Sequence, residues 1–353
     1  MEIYGEIKGI KYRPFLCRTL DRYIITEIDK ALSEKANFII RINGKNEIAV
    51  SWWVSPKRTR SYPYARVYDT LGFAGRKVTI IPVIKDEGKD GDRDFIQWDT
   101  ISLMSLLGVY VIIAYYVNAN KNPRYENKIT NQRFDTDYIK SEIQRLLSYQ
   151  SDALHWNLEQ IDKISKTAML AFNSYKKISE KLGVEMHSME SAKQRIEELR
   201  KGKERFMELS RELAYKAQIR ESVTSQPKEH LTGIKAVITI KNYLGGYYYF
   251  TCDEVEIHGN ELHLIEGKHT KTGVLPSEGD IKDGLIKMIL FTNLENVVAE
   301  GYEFKPVPVL KLTTSNEFRE DLLSKAKLNF LELLKKEAKH NGFRIKINDR
   351  FIV

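Results

Sequence analysis

The sequence predicts a mixed α/β protein, and three observations predict it. In residues 1–118, β-branched and aromatic runs alternate with a helical stretch; residues 136–220 read as helix; strand-like runs, a helix and a further strand follow from about residue 234. At 353 residues the chain suits more than one domain of ordinary size. The pattern divides it into an α/β or α+β domain over 1–120, a linker and helical region over 121–228, and a strand-rich domain over 229–353.

Each element has a local reason. "NFIIRI", "EIAVSWWV", "KVTIIPVI" and "VYVIIAYYV" carry the β-branched and aromatic residues that suit a pleated, buried surface, and "LDRYIITEIDKALSEK" has helical spacing. "DTISLMSLL" is a helix with Asp99 or Thr100 as cap and Gly108 as its stop. Residues 118–135 are polar and contain a proline, the composition of a linker or exposed loop. Leu147, Leu154, Leu158, Ile161, Tyr175, Ile178 and Leu182 then fall near one helical face, and after Gly183 a second charged helix completes an antiparallel hairpin. Trp156 there is expected in the core or at a dimer contact. Further on, "IKAVITI" and "GGYYYFTCDEVEI" are strands, "HGN" a turn and "ELHLIEGKHT" the return strand. "GDIKDGLIKMILFTNLE" is an amphipathic helix with Ile281, Leu285, Met288 and Ile289 inward, and "PVPVLKLTT" is a strand. Thr314 with Glu317 predicts a capping box opening a helix that runs to about His340 and stops at Gly342.

Composition limits the function classes. With 42% hydrophobic and 29% charged residues the chain is globular rather than disordered or fibrous. A net charge of +8 and a pI near 9.1 favour polyanionic partners, nucleic acid first. Two cysteines, Cys17 and Cys252, form no CxxC pair, which argues against a zinc ribbon or a disulfide framework and fits a reducing cytoplasm. The N-terminus has acidic residues and no apolar core of a signal peptide. Residues 100–119 carry no formal charge, but the helix-stop at Gly108 splits them into two buried elements, so no membrane span is expected.

The chemistry concentrates in "CDEVEIHGNELHLIEGKHTKTG", residues 252–273. Alternation puts Leu262, Leu264, Glu266 and Lys268 on one face of the return strand. Asp253 stands 13 positions before Glu266, and a short twisted hairpin brings the two carboxylates together. With a carbonyl such as that of Gly267 they form an oxygen-donor set suited to Mg²⁺. Lys268 beside them suits the task of orienting a water and offsetting charge on a phosphate. Glu254 and Glu256 fall on the other face, but because the strand's start is uncertain, Glu254 stands in reserve as the first acid. His258, His263 and His269 match no usual zinc spacing; His269 is a supporting or DNA-contacting candidate.

The order Asp, strand, turn, apolar strand, Glu-x-Lys resembles the PD-(D/E)XK nuclease superfamily, and most of all a type II restriction endonuclease. "CD" stands where the family has "PD", with Cys252 in place of the proline, and "IEGKH" stands for the (D/E)-x-K strand. The resemblance implies a restriction-endonuclease-like core of a mixed sheet flanked by helices. It implies Asp253 and Glu266 as metal-binding acids, Lys268 as the catalytic lysine, and Mg²⁺-dependent cutting of double-stranded DNA to 5′-phosphate ends. A restriction enzyme cuts two strands, so a homodimer is the economical arrangement, through the helical hairpin. The alternatives are a less specific repair or defence nuclease and a non-catalytic DNA-binding protein with the same fold.

For DNA contact the candidates are Lys57, Arg58, Arg60 and Arg66 in residues 51–77, and Lys282 and Lys287 on the helix after the Glu-x-Lys strand. The first segment has six lysines and arginines against Asp69, a net +5, interleaved with aromatics. Its structural alternative is a loop with Trp52, Trp53 and Tyr62 in the core. The acidic run 84–100 fails as an EF-hand, since Gly88 and Gln97 occupy two ligand positions. There Asp92, Arg93 and Asp94 are read as a salt-bridged cluster or as base readers.

Overall fold

The structure, a computed structural model, describes residues 1–44, 46–57, 61–188, 190–191, 194, 234–242, 247–271, 275–315 and 318–353. It is mixed α/β and divides into two compact units, one made of Met1–Thr19 with Arg211–Val353 and the other of Leu20–Ser210. The boundaries differ from those read by composition because strand β1 (Glu2–Ile7) pairs in parallel with β11 (Ile234–Asn242), from Glu2 opposite Val237 to Ile7 opposite Asn242.

The unit Leu20–Ser210 is built on a five-stranded sheet in the order β2 (Arg22–Ile24), β3 (Asn37–Ile42), β4 (Asn46–Trp52), β5 (Arg76–Pro82) and β8 (Val109–Ala114). Strands β4, β5 and β8 run parallel and are buried almost throughout, as their uninterrupted apolar runs require. Helices α1 (Ile28–Glu34), α2 (Pro63–Thr70) and α3 (Trp98–Leu106) connect them. The edge strand β8 is closed by side chains of a helix. From α5 (Ala153–Asp162), Asn157 Oδ1 accepts from Val111 N at 2.7 Å, Gln160 Oε1 accepts from Ile113 N at 3.1 Å, and Trp156 Nε1 donates to Val111 O at 2.7 Å. These contacts occupy an edge that is otherwise open to strand addition.

Several local expectations change here. Residues 118–135 are not a linker: they hold most of the ribbon β9 (Tyr116–Lys121) and β10 (Ile129–Phe134), bulged between Thr130 and Arg133. Short strands β6 (Ile84–Asp86) and β7 (Arg93–Phe95) frame the acidic run, where Asp94 accepts from Ser55 Oγ at 2.7 Å and Arg93 donates to Ser191 Oγ at 2.8 Å. Helices α4 (Thr136–Leu147) and α6 (Ile164–Leu182) flank α5, so the first arm of the expected hairpin is three helices; its second arm lies outside the described residues. Trp53 is fully buried as read, whereas Tyr62 is exposed in a left-handed turn at φ 49°. No helix among the described residues is long and apolar enough to cross a membrane.

In the other unit, β11, β12 (Tyr247–His258) and β13 (Glu261–Thr270) form an antiparallel meander. Helix α7 (Glu278–Phe291), capped by Ser277 Oγ accepting from Asp280 N, crosses to β15 (Tyr302–Thr314), which lies parallel to β13 along ten register pairs. Strand β14 (Glu295–Ala299) pairs with both β15 and β1, which closes a ring of strands β11–β12–β13–β15–β14–β1. Strands β16 (Arg344–Ile347) and β17 (Arg350–Phe351) extend from β15. The helix between β15 and β16, α8 (Lys325–Asn341), starts ten residues later than the Thr314 capping box predicts. Ser324 is its cap, Thr314 ends β15 instead, and Glu317 lies outside the described residues. Gly342 stops it as expected, at φ 75°. Buried Glu337 on α8 accepts from Tyr12 Oη at 2.6 Å and from Phe15 N at 2.7 Å, which holds the segment after β1 in place.

The two faces of the meander are chemically separate. On one, α7 covers Leu264, Leu310 and Leu312. On the other, Ile265, Val307 and Val309 pack together beside an ion pair of Glu254 Oε2 with Lys311 Nζ at 2.7 Å. Both of those charges are almost fully buried, and burial of a charge is tolerated only with close compensation. Lys311→Met alone, which takes the ammonium from Glu254, is expected to lower stability by about 3–5 kcal/mol, read from the urea midpoint. Glu254→Leu with Lys311→Met should recover most of that loss. A single variant as stable as the native chain would contradict the burial of this pair.

Candidate active site

The site forms where a strand irregularity meets a helix with a glycine. Along β11 and β12, Ile234 faces Val255 and Ala236 faces Cys252, so two steps on one strand match three on the other. The extra residue is a bulge at Asp253–Glu254, a device that re-aims side chains. Beyond it the ladder runs regularly from Glu254 opposite Ile265 to His258 opposite Glu261. Asp253 therefore turns toward Glu266, and Glu254 goes to the opposite face, to Lys311. The reserve role for Glu254 as first acid is thereby removed.

Glu266 is the centre of the site, with only 1% of its surface exposed. Lys268 Nζ lies 2.9 Å from its Oε1 and Lys287 Nζ 2.5 Å from its Oε2. Asp253 Oδ2 accepts from Gly267 N at 2.9 Å, which sets the Gly267 backbone against the first acid. Asp253 and Glu266 also hydrogen-bond each other. Two carboxyl groups in such contact hold a proton between them. Burial and then the Glu266 charge push Asp253 up to about 7. Glu266 goes the other way: burial works against its charge, but the ammonium groups of Lys268 and Lys287 hold it down at about 2. The Lys268 ammonium, despite its burial, is raised above the ordinary lysine range by Glu266 and Asp283. Cys252, buried beside the acids, has its thiol pushed up by that burial, which makes it a packing residue rather than a nucleophile.

Two groups on α7 complete the arrangement, and the sequence reading did not assign either to it. Asp283 Oδ2 lies 3.1 Å from Lys268 Nζ and fixes the lysine from the helix side. Lys287, expected to face DNA, instead contacts Glu266 and donates to Thr251 O at 3.3 Å. They stand four residues apart, one helical turn, and so share a face. Gly284 lies between them: a Cβ there would come within 2.9 Å of Leu310 Cδ1 and 3.2 Å of Lys268 Cε. The glycine lets α7 lie close enough for its polar pair to reach the strand. The available signal was the Asp-Gly-x-x-Lys spacing on the otherwise apolar face of that helix.

The remaining candidates separate clearly. Lys282 is 4% exposed and so is not a surface contact. Arg66 donates to Trp52 O at 2.8 Å and to Ser61 O at 3.1 Å and stacks over the Trp52 ring at 4.6 Å, a structural brace. Lys57 is exposed, and Arg58 and Arg60 lie outside the described residues. His269 Nδ1 contacts Thr313 Oγ1 at 3.0 Å, away from Glu266. Within Leu20–Ser210, a cleft of about 1010 Å³ is lined by Trp52 and Phe134 and by Lys30, Asn131 and Arg133, the last three exposed. Comparison with family models, with curated proteins and with solved structures finds no match.

The Asp253 environment has a pH signature. In the unfolded chain an aspartate releases its proton near pH 4, whereas here it keeps it to about 7. The folded state binds more protons between those values, so this group's contribution to stability falls as pH rises from about 4 to 7. Asp253→Asn, which removes the titration, is expected to raise the melting temperature of metal-free protein by a few degrees more at pH 8 than at pH 5. An equal shift at both would contradict the buried acid pair.

Proposed function

We propose that this chain is a Mg²⁺-dependent endonuclease of the PD-(D/E)XK type that cuts double-stranded DNA, a type II restriction enzyme. The observation that carries the reading is the convergence of Asp253, Glu266 and Lys268 on an antiparallel meander whose last strand is followed by a helix and a parallel strand. A Glu-x-Lys strand followed by a helix that packs on the sheet is what the nuclease resemblance implies.

The donor set fits a hard divalent ion. Asp253 and Glu266 offer carboxylate oxygens that already share a proton, and Gly267 offers a backbone oxygen on the same strand; oxygen donors of this kind suit Mg²⁺. Because each Glu266 oxygen holds an ammonium, Lys287 is the group that yields an oxygen to an incoming cation, while Asp283 keeps Lys268 in place. When bound, Mg²⁺ supplies a Lewis acid for the phosphoryl oxygen and a water of lowered pKa. Lys268 orients the attacking water and offsets the negative charge that gathers on the phosphate. Asp283 positions Lys268.

Recognition is the task of the Leu20–Ser210 unit, with Lys57 and the Lys30–Asn131–Arg133 cleft as its DNA-facing candidates. Arginine and asparagine are the side chains that read guanine and adenine edges, and the cleft's aromatic walls suit bases. Cutting two strands calls for two sites, so the enzyme acts as a homodimer.

A digestion assay tests the reading. With plasmid DNA and Mg²⁺ the native chain should give discrete fragments with 5′-phosphate ends, and chelation should abolish cutting. Lys268→Ala should be slower by about 10²–10³-fold. Smeared products would favour a repair or defence nuclease of low specificity, and no cutting of DNA or RNA a binding-only protein. Equal rates for Lys268→Ala and the native chain would remove the site assignment.

A further inference from the structure

The face of the β12–β13 hairpin turned away from Asp253 and Glu266 carries a second cluster near the Gly259 turn. Glu256 is the register partner of His263, and His258 that of Glu261, so the four side chains share one face by alternation. One donor atom from each of Glu256, His258 and His263 lies within 4.8 Å of the others. His258 Nε2 is 3.0 Å from Glu256 Oε2, and the two imidazole rings stand 4.5 Å apart. Glu261 Oε2 is 3.5 Å from His263 Nε2.

His263 is the anomaly. It is only 5% exposed, and neither of its ring nitrogens makes a hydrogen bond among the described residues. Buried polar atoms of folded proteins almost always have a partner, and one left over calls for an explanation such as an ion. Ion pairs account for Glu256 with His258 and for His263 Nε2 with Glu261 at 3.5 Å, but His263 Nδ1 is left without a hydrogen bond among the described residues.

We propose that Glu256, His258 and His263 bind a Zn²⁺ ion. Two imidazoles and one carboxylate are a zinc donor set, with a fourth position left for water or Glu261. The mixed nitrogen and oxygen character selects Zn²⁺ over Mg²⁺, in contrast to the all-oxygen set on the opposite face of the hairpin. Lys346 Nζ at 3.8 Å from Glu256 Oε1 and Arg344 at 3.9 Å from Glu261 Oε2 lie at the rim, where such charges hold ligating carboxylates in place from outside. The ion joins β12 to β13, since Glu256 and His258 come from one strand and His263 from the other. It therefore clamps the ladder that sets Asp253 opposite Glu266. The site is independent of the nuclease reading and stands or falls without it.

Titration of the metal-free full chain with Zn²⁺ by calorimetry, with Co²⁺ absorption as a spectroscopic probe, tests this. One equivalent of Zn²⁺ should bind with a Kd at or below the micromolar range, raise the melting temperature, and give a Co²⁺ spectrum of low-symmetry nitrogen and oxygen ligation. His258→Ala, an exposed position that leaves the core intact, should weaken binding at least tenfold, as should His263→Asn. Glu266→Gln and His269→Ala should leave the stoichiometry and affinity unchanged. Absence of Zn²⁺ binding by the native chain would overturn the proposal. So would binding that survives His258→Ala and is lost in Glu266→Gln.

Discussion

The burial of the Glu266 carboxylate is the constraint on which the rest of its unit turns. A charge at 1% exposure persists only with close opposite charges and hydrogen bonds. Lys268 reaches it from the same strand, and Lys287 must come from the helix above. That second contact dictates how near α7 lies to the sheet, and hence the glycine at 284, where a side chain would meet Leu310. The near approach also brings Asp283 to Lys268. One buried acid thus determines a strand spacing, a helix height and the partner of the lysine beside it.

The adjacent acids Asp253 and Glu254 set a second problem. Regular alternation alone sends neighbouring side chains to opposite faces, and both of these are acids. One joins Glu266 and the other enters an apolar face, where Lys311 compensates it at 2.7 Å. The hairpin therefore carries charge into two separate interiors. Lys311 compensates Glu254 directly, whereas Asp253 is joined to Glu266, whose charge Lys268 and Lys287 compensate.

Much of this was legible in the sequence and some was not, for physical reasons. The strand alternation that groups Leu264, Glu266 and Lys268, and the inward face of α7 at Ile281, Leu285, Met288 and Ile289, depend on local periodicity and are found as read. Lys287 was read outward because lysines are rarely buried; its placement depends on a carboxylate 21 residues earlier, which periodicity along one helix does not encode. The same holds for Asn157 and Gln160, polar residues that look solvent-facing until the open edge of β8 is known. Residues 118–135 resembled a linker because a two-stranded ribbon with one exposed face has few apolar positions. The choice between Asp253 and Glu254 stayed open in the sequence because the start of the strand was uncertain; alternation itself had put Glu254 on the other face, where it is found.

Strand β1 has a consequence for how the molecule comes into being. It is hydrogen-bonded on both edges, to β11 on one side and β14 on the other, so residues 2–7 lie inside a sheet rather than at its border. During synthesis their partners at 234–242 and 295–299 emerge more than two hundred residues after them. Meanwhile the Leu20–Ser210 unit, whose sheet needs none of them, is free to fold. The ring that carries Glu266 is then completed late, across more than two hundred residues of chain, the kind of closure that is slow and leaves strand edges exposed while it waits.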